Sequence, residues 1–241
     1  MSRFRLLAGV IVVAASAAFA ATASGGPAAL ATYRVTLVNL TGGQPFSPPV
    51  AATHESGLHM FQVGQLATDE LAAIAQDGDE APMAALFAAS PHVTEVVDVG
   101  RPLTPHGKVV GSFTDTATFE IHAAPHDRLS LATMLICTND GFLGLDAVRL
   151  PDAGARAFDL NGYDAGRENN TEQSVDLVDP CSALGPFPLP GDPDGNVDAA
   201  VATNPAQPIA MHPGITGVGE LSPAQHGWHD PVARVRLERI G

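Results

Sequence analysis

The stretch Val232-Ala233-Arg234-Val235-Arg236-Leu237-Glu238-Arg239-Ile240 alternates between apolar and charged side chains. A period of two is that of a β-strand, in which successive side chains point to opposite faces of the sheet. Ala233, Val235 and Leu237 share one face with Arg239, while the opposite face carries most of the charge. This pattern predicts a strand whose Ala233–Val235–Leu237 face lies against the core.

Four more segments have the composition of strands and are bounded by turn residues. They are Tyr33–Leu40, Val93–Val99, Lys108–Ile121 and Leu129–Cys137. Residues 138–230 are rich in Pro and Gly, and we expect mostly loops there.

Two short helices are expected between the first and second of these strands. Thr68 is a good N-cap, and Gly78 is a good C-terminal stop for a helix whose apolar residues recur on one face. A second helix is predicted over Ala81–Ala89, with Pro82 in its first turn, where proline is tolerated.

The composition favours one mainly β domain. The chain has 241 residues, of which 45% are apolar and 16% are charged, which is enough for one sizeable core. Its 24 Gly and 20 Pro interrupt almost every segment, which argues against a helical bundle. We therefore predict an antiparallel β-sandwich with long loops and a short helical excursion, occupying residues 33–241.

The chain is strongly acidic, with 26 Asp and Glu against 12 Lys and Arg and a net charge of −14. Such a chain repels phosphate backbones, so nucleic acid is not an expected partner. It attracts cations instead.

The N-terminus has the three parts of a secretory signal peptide. Arg3 and Arg5 precede the uncharged run 6–19, and Ala18-Phe19-Ala20 has the small-x-small form of a cleavage site. We expect a signal peptide over residues 1–22, cut near Ala20, and a short leader over 23–32. An uncleaved anchor is the alternative. No later segment is long and apolar enough to span a membrane, so the predicted location is secreted or periplasmic.

The chain has two cysteines, Cys137 and Cys181. In an oxidising compartment an even count suggests a disulfide, which here would close a loop of about 45 residues. Two free buried thiols are the alternative.

Acidic and amide side chains are interleaved with glycine in two segments. Asn139-Asp140-Gly141 is followed by Asp146, and residues 163–172 read YDAGRENNTE. Hard oxygen ligands on flexible loops are what Ca²⁺ requires, and two loops at one end of a sandwich can converge on one ion. Turn formation alone would also select these residues.

These two segments also resemble a known family. Residues 139–144, NDGFLG, look like the PDWFVG segment of the spondin-N domain, and residues 163–168, YDAGRE, look like its WDAGTD segment. Residues 45–49 and 53–54 match the start of the family, and residues 231–235 suit its last strand. The resemblance covers Tyr33 to the end of the chain.

Membership of this family would imply a secreted, C2-like antiparallel β-sandwich that binds one calcium ion. Carried over by motif, the ligands are Asp140, Asp164 and Glu168. Glu168 stands where the family has Asp, and Gly141 and Tyr163 stand where it has Trp. The chain looks like a bacterial-type relative that consists of this domain alone.

Other constellations are weaker. The loop Asp192–Asp198 resembles half of an EF-hand loop, but a solvated turn is the simpler interpretation. The nine histidines, including His54 and His59, show no complete zinc spacing and are expected to be structural. A triad could be written from Ser130, His126 and Asp127, but the chain has no Gly-x-Ser-x-Gly elbow.

The sequence thus leads to two functional hypotheses. The first is an exported, non-catalytic, calcium-binding module that recognises an extracellular protein or a glycan, as in adhesion. The second is an exported metal-dependent hydrolase that uses the same acidic segments, with an open coordination position beside a general base.

Overall fold

The computed structural model describes residues 29–178, 181, 184 and 201–241. The predicted signal peptide, most of the predicted leader and the Asp192–Asp198 loop lie outside the described residues. In the part of the chain that is described, no helix is both long and apolar enough to cross a membrane.

The first sheet has four antiparallel strands. They are β1 (Ala31–Asn39), β6 (Thr116–Ala123), β9 (Ala155–Leu160) and β12 (Ala233–Arg239), in the order β6-β1-β12-β9. Val35 pairs with Leu237 across β1 and β12, and both side chains are fully buried. The predicted core face of the last strand is confirmed, because Ala233, Val235 and Leu237 point inward and alternate with exposed Arg234 and Arg236.

The second sheet has six antiparallel strands. They are β2 (Val50–His54), β3 (Val93–Asp98), β7 (Arg128–Met134), β8 (Gly141–Arg149), β10 (Gly162–Asp164) and β11 (Ala210–Met211), in the order β11-β10-β8-β7-β2-β3. Strands β7 and β8 lie at its centre and run side by side.

The two sheets bury one apolar layer between them, and the predicted mainly β sandwich is confirmed. Leu37, Ile121 and Val235 come from the first sheet, while Leu129 and Leu143 come from the second. Each of these five side chains is fully buried. Burial of a Leu or Ile side chain contributes roughly 1.5–3 kcal/mol to stability.

Two helices, α1 (Asp69–Asp77) and α2 (Ala81–Ala88), contribute to a second core on the other face of the six-stranded sheet. Leu71 and Ile74 of α1 pack in this core with Val50 and Phe142 of the sheet. Strand β7 is therefore covered on both faces, and six of its seven residues are buried.

Both ends of α1 are as the sequence predicts. Thr68 is the N-cap, and its Oγ1 accepts a hydrogen bond from the backbone N–H of Leu71 at 3.2 Å. Gly78 ends the helix in the left-handed conformation with φ of 67°. The acids of the first turn, Asp69 and Glu70, suit the positive end of the helix dipole.

We expect Thr68→Ala to lower the free energy of unfolding by about 1 kcal/mol, because one N–H of the first turn loses its acceptor. Urea denaturation measures this loss. Thr68→Ser is the matched control, because it keeps the hydroxyl and should stay near wild type. Equal losses in the two variants would contradict the capping role.

The predicted strand Lys108–Ile121 is wrong as one element. It is a small hairpin, β4 (Val109–Val110) and β5 (Phe113–Thr114), followed by β6. Gly111 has φ of 59° in the hairpin turn, a conformation that glycine adopts at little cost.

Residues 138–230 are also more regular than predicted. They contain β8, β9, β10 and β11, a 3₁₀ turn over Ser174–Asp176 and a short helix α3 (Pro223–His226). The first five residues of β8 are all buried, so they show no alternation that would identify a strand.

Cys137 and Cys181 form a disulfide with their Cα atoms 5.0 Å apart, and no described cysteine is free. Cys137 follows β7, and the bridge lies in a third apolar cluster with Met134, Ile136 and Leu177. The bridge therefore ties residue 181 to the chain that directly follows β7.

Candidate metal centre

Asp140 lies in the tight connection between β7 and β8, directly before β8 begins. Thr138 holds this connection, because its Oγ1 donates to the Leu135 carbonyl at 2.6 Å and accepts from the Gly141 N–H at 2.8 Å. A Cβ on Gly141 would lie 2.4 Å from that same oxygen, so glycine is required there. The turn fixes the position of Asp140 at the end of the sheet.

Asp164 ends β10 and lies next to this turn. Its register partner across β8 and β10 is Gly141, and the following Ala165 N–H donates to the Asp140 carbonyl at 3.0 Å. The chain then turns at Gly166, whose φ is 70° and where a Cβ would lie 2.1 Å from the Gln207 carbonyl oxygen. The sheet register thus brings together two residues that are 24 positions apart in the sequence.

The carboxylate of Asp140 is fully buried and only half satisfied. Its Oδ2 accepts from the backbone N–H groups of Arg167 at 2.6 Å and Glu168 at 2.9 Å. Its Oδ1 has no hydrogen-bond partner among the described residues. Burial, and then the nearby charge of Asp164, raise the pKa of Asp140 to about 7, against the effect of the two backbone bonds.

The Asp164 carboxylate closes the turn that follows it. Its Oδ1 accepts from the Gly166 N–H at 2.7 Å and its Oδ2 from the Asn170 side-chain amide at 2.6 Å. Both groups belong to the loop after β10, so this loop is organised around Asp164.

Glu168 is nearly fully buried, and its Oε1 accepts from the Gln76 side chain of α1 at 2.7 Å. Its backbone N–H donates to Asp140 Oδ2. Asp140, Asp164 and Glu168 therefore occupy one connected hydrogen-bonded region. In the described part of the chain, no group of three or more His, Cys, Asp or Glu side chains has a geometry that could hold a metal ion.

Asp146 does not belong to this region, and its assignment to the same acidic loop as Asp140 is wrong. It lies within β8, where its carboxylate binds His59 Nδ1 at 2.6 Å and the Met60 N–H at 2.7 Å. Because residues 141–149 form a strand, the six positions between Asp140 and Asp146 span about 20 Å.

Glu172 is a buried carboxylate near the site that the sequence did not single out by itself. Both its oxygens accept backbone N–H bonds from Thr216, Gly217 and Val218. Burial opposes ionisation of Glu172, but these bonds outweigh it and lower its pKa. Only the contact with residues 216–218, more than 40 positions away, reveals this role.

His212 is a second residue that the sequence did not point to. It is buried, its Nδ1 accepts from the Gly214 N–H at 3.0 Å, and its Nε2 has no hydrogen-bond partner among the described residues. Burial lowers the pKa of His212 to about 4, although the charges of Asp164, Glu172 and Asp230 oppose this shift.

Ser130 pairs with His54, and not with His126, the histidine of the triad considered in the sequence. Its Oγ lies 2.8 Å from His54 Nε2 and accepts from the Ala147 N–H at 2.8 Å. Ser130 and His54 are both fully buried, so this pair stabilises the sheet rather than facing solvent.

A comparison with protein families matches the family described as Spondin_N over residues 40–178, which is more than half of the chain. The matched region contains Asp140, Asp164 and Glu168. A search of curated proteins finds no match.

Proposed function

The chain belongs to the Spondin_N family, and on that premise we propose that it is an exported calcium-binding β-sandwich module without catalytic activity. Its role would be recognition of an extracellular protein or a glycan, as in adhesion. Asp140, Asp164 and Glu168 would hold the ion, and binding would have to draw their carboxylates together, because the three are not arranged as a metal-binding group among the described residues.

The single observation that best supports the calcium site is that Asp140 Oδ1 has no hydrogen-bond partner among the described residues. A buried polar atom without a hydrogen bond costs free energy, and a buried unpaired charge costs more. Here the unsatisfied oxygen belongs to a fully buried carboxylate that also feels the charge of Asp164. A cation would relieve both costs at once.

Arg167, whose backbone N–H reaches Asp140, does not neutralise this pair with its side chain. The guanidinium of Arg167 donates to the Ala67 carbonyl at 3.2 Å and to Asp69 at 2.7 Å, so it points toward α1. Only its backbone N–H reaches Asp140. The positive charge that this pair lacks could therefore come from an ion.

The donor set fits a hard ion. Its members are carboxylate oxygens at the end of β10 and in the connections beside it, flanked by the amides Asn139 and Asn170, and they include no sulfur. Ca²⁺ takes six to eight such oxygens in flexible geometry, whereas Zn²⁺ favours nitrogen and sulfur. When bound, the ion would supply charge neutralisation and would fix the β7–β8 turn against the loop after β10.

We expect calcium to stabilise the folded protein. At a free concentration about one hundred times Kd, the gain is about 2.7 kcal/mol if only the folded state binds. Thermal unfolding in millimolar Ca²⁺ and in chelator measures the difference. Asp164→Asn should remove it, because one ligand charge is lost.

Glu120→Gln is the matched control for this experiment. Its side chain is 57% exposed in β6, outside the candidate site, and the substitution removes the same charge. This variant should keep the full calcium response. If wild type melts at the same temperature in both buffers, the proposed site is refuted.

The hydrolase alternative uses the same carboxylates and makes a different prediction. It requires turnover of an ester, a phosphodiester or a glycoside that depends on the added metal and is lost in Asp164→Asn. Calcium stabilisation without turnover of these substrates supports the binding module. Metal-dependent turnover would replace it with the hydrolase.

A further inference from the structure

A polar cavity of about 280 Å³ lies at the other end of the sandwich from Asp140. The start of β1, the end of β6, the start of β7 and the ends of β8 and β12 surround it. Strand β8 begins beside Asp140 and ends at Arg149 in the cavity wall. The cavity is therefore separate from the candidate metal centre.

Three arginines, Arg128, Arg149 and Arg239, line this cavity. They are three of only nine arginines in the described residues of a chain whose net charge is −14. Each comes from a different strand end, so the fold brings together positive charges that are scattered in the sequence.

The arginine side chains keep donors available. Arg149 uses one terminal nitrogen on Asp152 at 2.9 Å, and Arg239 donates to the carbonyls of Asp152 at 3.0 Å and Gly241 at 3.3 Å. The guanidinium of Arg128 has neither a hydrogen bond nor an ion pair within the described residues. A guanidinium has five N–H donors, so each of the three has donors left.

The two acids of the cavity, Asp127 and Asp152, offset only part of the charge of the three arginines. Asp127 is buried, and its Oδ2 is used by the Thr94 hydroxyl at 2.6 Å and the Ala124 N–H at 2.8 Å. The side chain of Asp152 is 86% exposed and makes one surface ion pair with Arg149. Exposed pairs of this kind contribute little stability, and a competing anion can displace them.

We propose that this cavity binds a small acidic ligand through an oxyanion group, either a carboxylate or a phosphate. Planar guanidinium groups match both anions with two parallel hydrogen bonds. The volume is close to the roughly 300 Å³ at the small end of ligand sites, which suits a molecule the size of a sugar acid or a sugar phosphate. The Tyr33 ring lines the same wall, with its hydroxyl bonded to the Pro151 carbonyl at 3.2 Å.

Isothermal titration calorimetry at constant ionic strength tests the site with sodium glucuronate, inorganic phosphate and neutral glucose. We expect one of the anions to bind and glucose not to bind, and the anion that binds identifies the oxyanion class. Arg128→Gln should weaken binding about tenfold or more, because a charge-assisted pair is lost. Arg149→Gln, at an exposed position, should weaken binding while leaving the melting temperature unchanged.

Arg101→Gln is the matched control, because Arg101 is an exposed arginine outside the cavity. It removes the same charge and should bind as wild type does. The proposal is overturned if neither anion binds more tightly than about 10 mM. It is equally overturned if Arg101→Gln loses as much affinity as Arg149→Gln, since the attraction would then come from overall charge.

Discussion

In chelator, Asp140→Asn should gain stability relative to wild type as the pH rises from about 4 to about 7. The pKa of Asp140 is about 7 in the folded protein and 3.8 ordinarily, so the folded state holds a proton that the unfolded chain has already lost. The contribution of the protonated Asp140 carboxyl to the free energy of unfolding is fully present below about pH 4 and is lost as the pH rises through about 7. The full change corresponds to roughly 4 kcal/mol.

The difference between variant and wild type is the quantity to measure, because His212 has the opposite effect. Its pKa of about 4 lies below the ordinary 6.5, so its contribution is lost as the pH falls. Subtracting the asparagine variant removes this background. Urea denaturation at several pH values gives both curves, and parallel curves would show that Asp140 does not titrate as described.

Calcium should reverse this behaviour if it binds at Asp140. A cation favours the ionised carboxylate, so added Ca²⁺ lowers the pKa of Asp140 and restores wild-type stability near pH 7. The asparagine variant should show no such recovery.

The second large effect concerns the disulfide. We expect Cys137→Ala combined with Cys181→Ala to lower the free energy of unfolding by roughly 4 kcal/mol, the chain-entropy value for a loop of this size. The loss arises mainly in the unfolded chain, which is no longer constrained, and partly in the apolar cluster around Met134 and Leu177.

Guanidinium denaturation with and without a reductant measures this effect. Reduced wild type should fall to the stability of the double alanine variant, and the variant itself should not respond to reductant. If the free energy of unfolding of the double alanine variant falls by about 1 kcal/mol or less, the result contradicts a stabilising role for the bridge.

Alternation in the sequence is informative only where one face of a strand meets solvent. Strand β12 shows buried and exposed residues in turn, and its core face could be predicted residue by residue. Strand β2 is buried at all five positions, and the first half of β8 is buried as well, because helices cover the outer face of that sheet. No period of two remains in such strands, so the sequence predicts no strand over residues 50–54 and mostly loops over residues 138–230.

The candidate site was predictable in part for a similar reason. Asp140 and Asp164 could be singled out by their motifs, and the register of β8 and β10 places them side by side. The contacts that define their chemistry are non-local, such as Gln76 on Glu168 and residues 216–218 on Glu172. Spacing along the chain carries no information about these contacts.

The nine residues of β8 join the calcium candidate to the arginine cavity across a distance of about 27 Å. A molecule bound beside the candidate metal centre would leave the arginine cavity accessible, so the domain would be able to bind two molecules at once, one at each end of the sandwich. The two binding sites would share no residues, yet both would depend on strand β8 remaining folded.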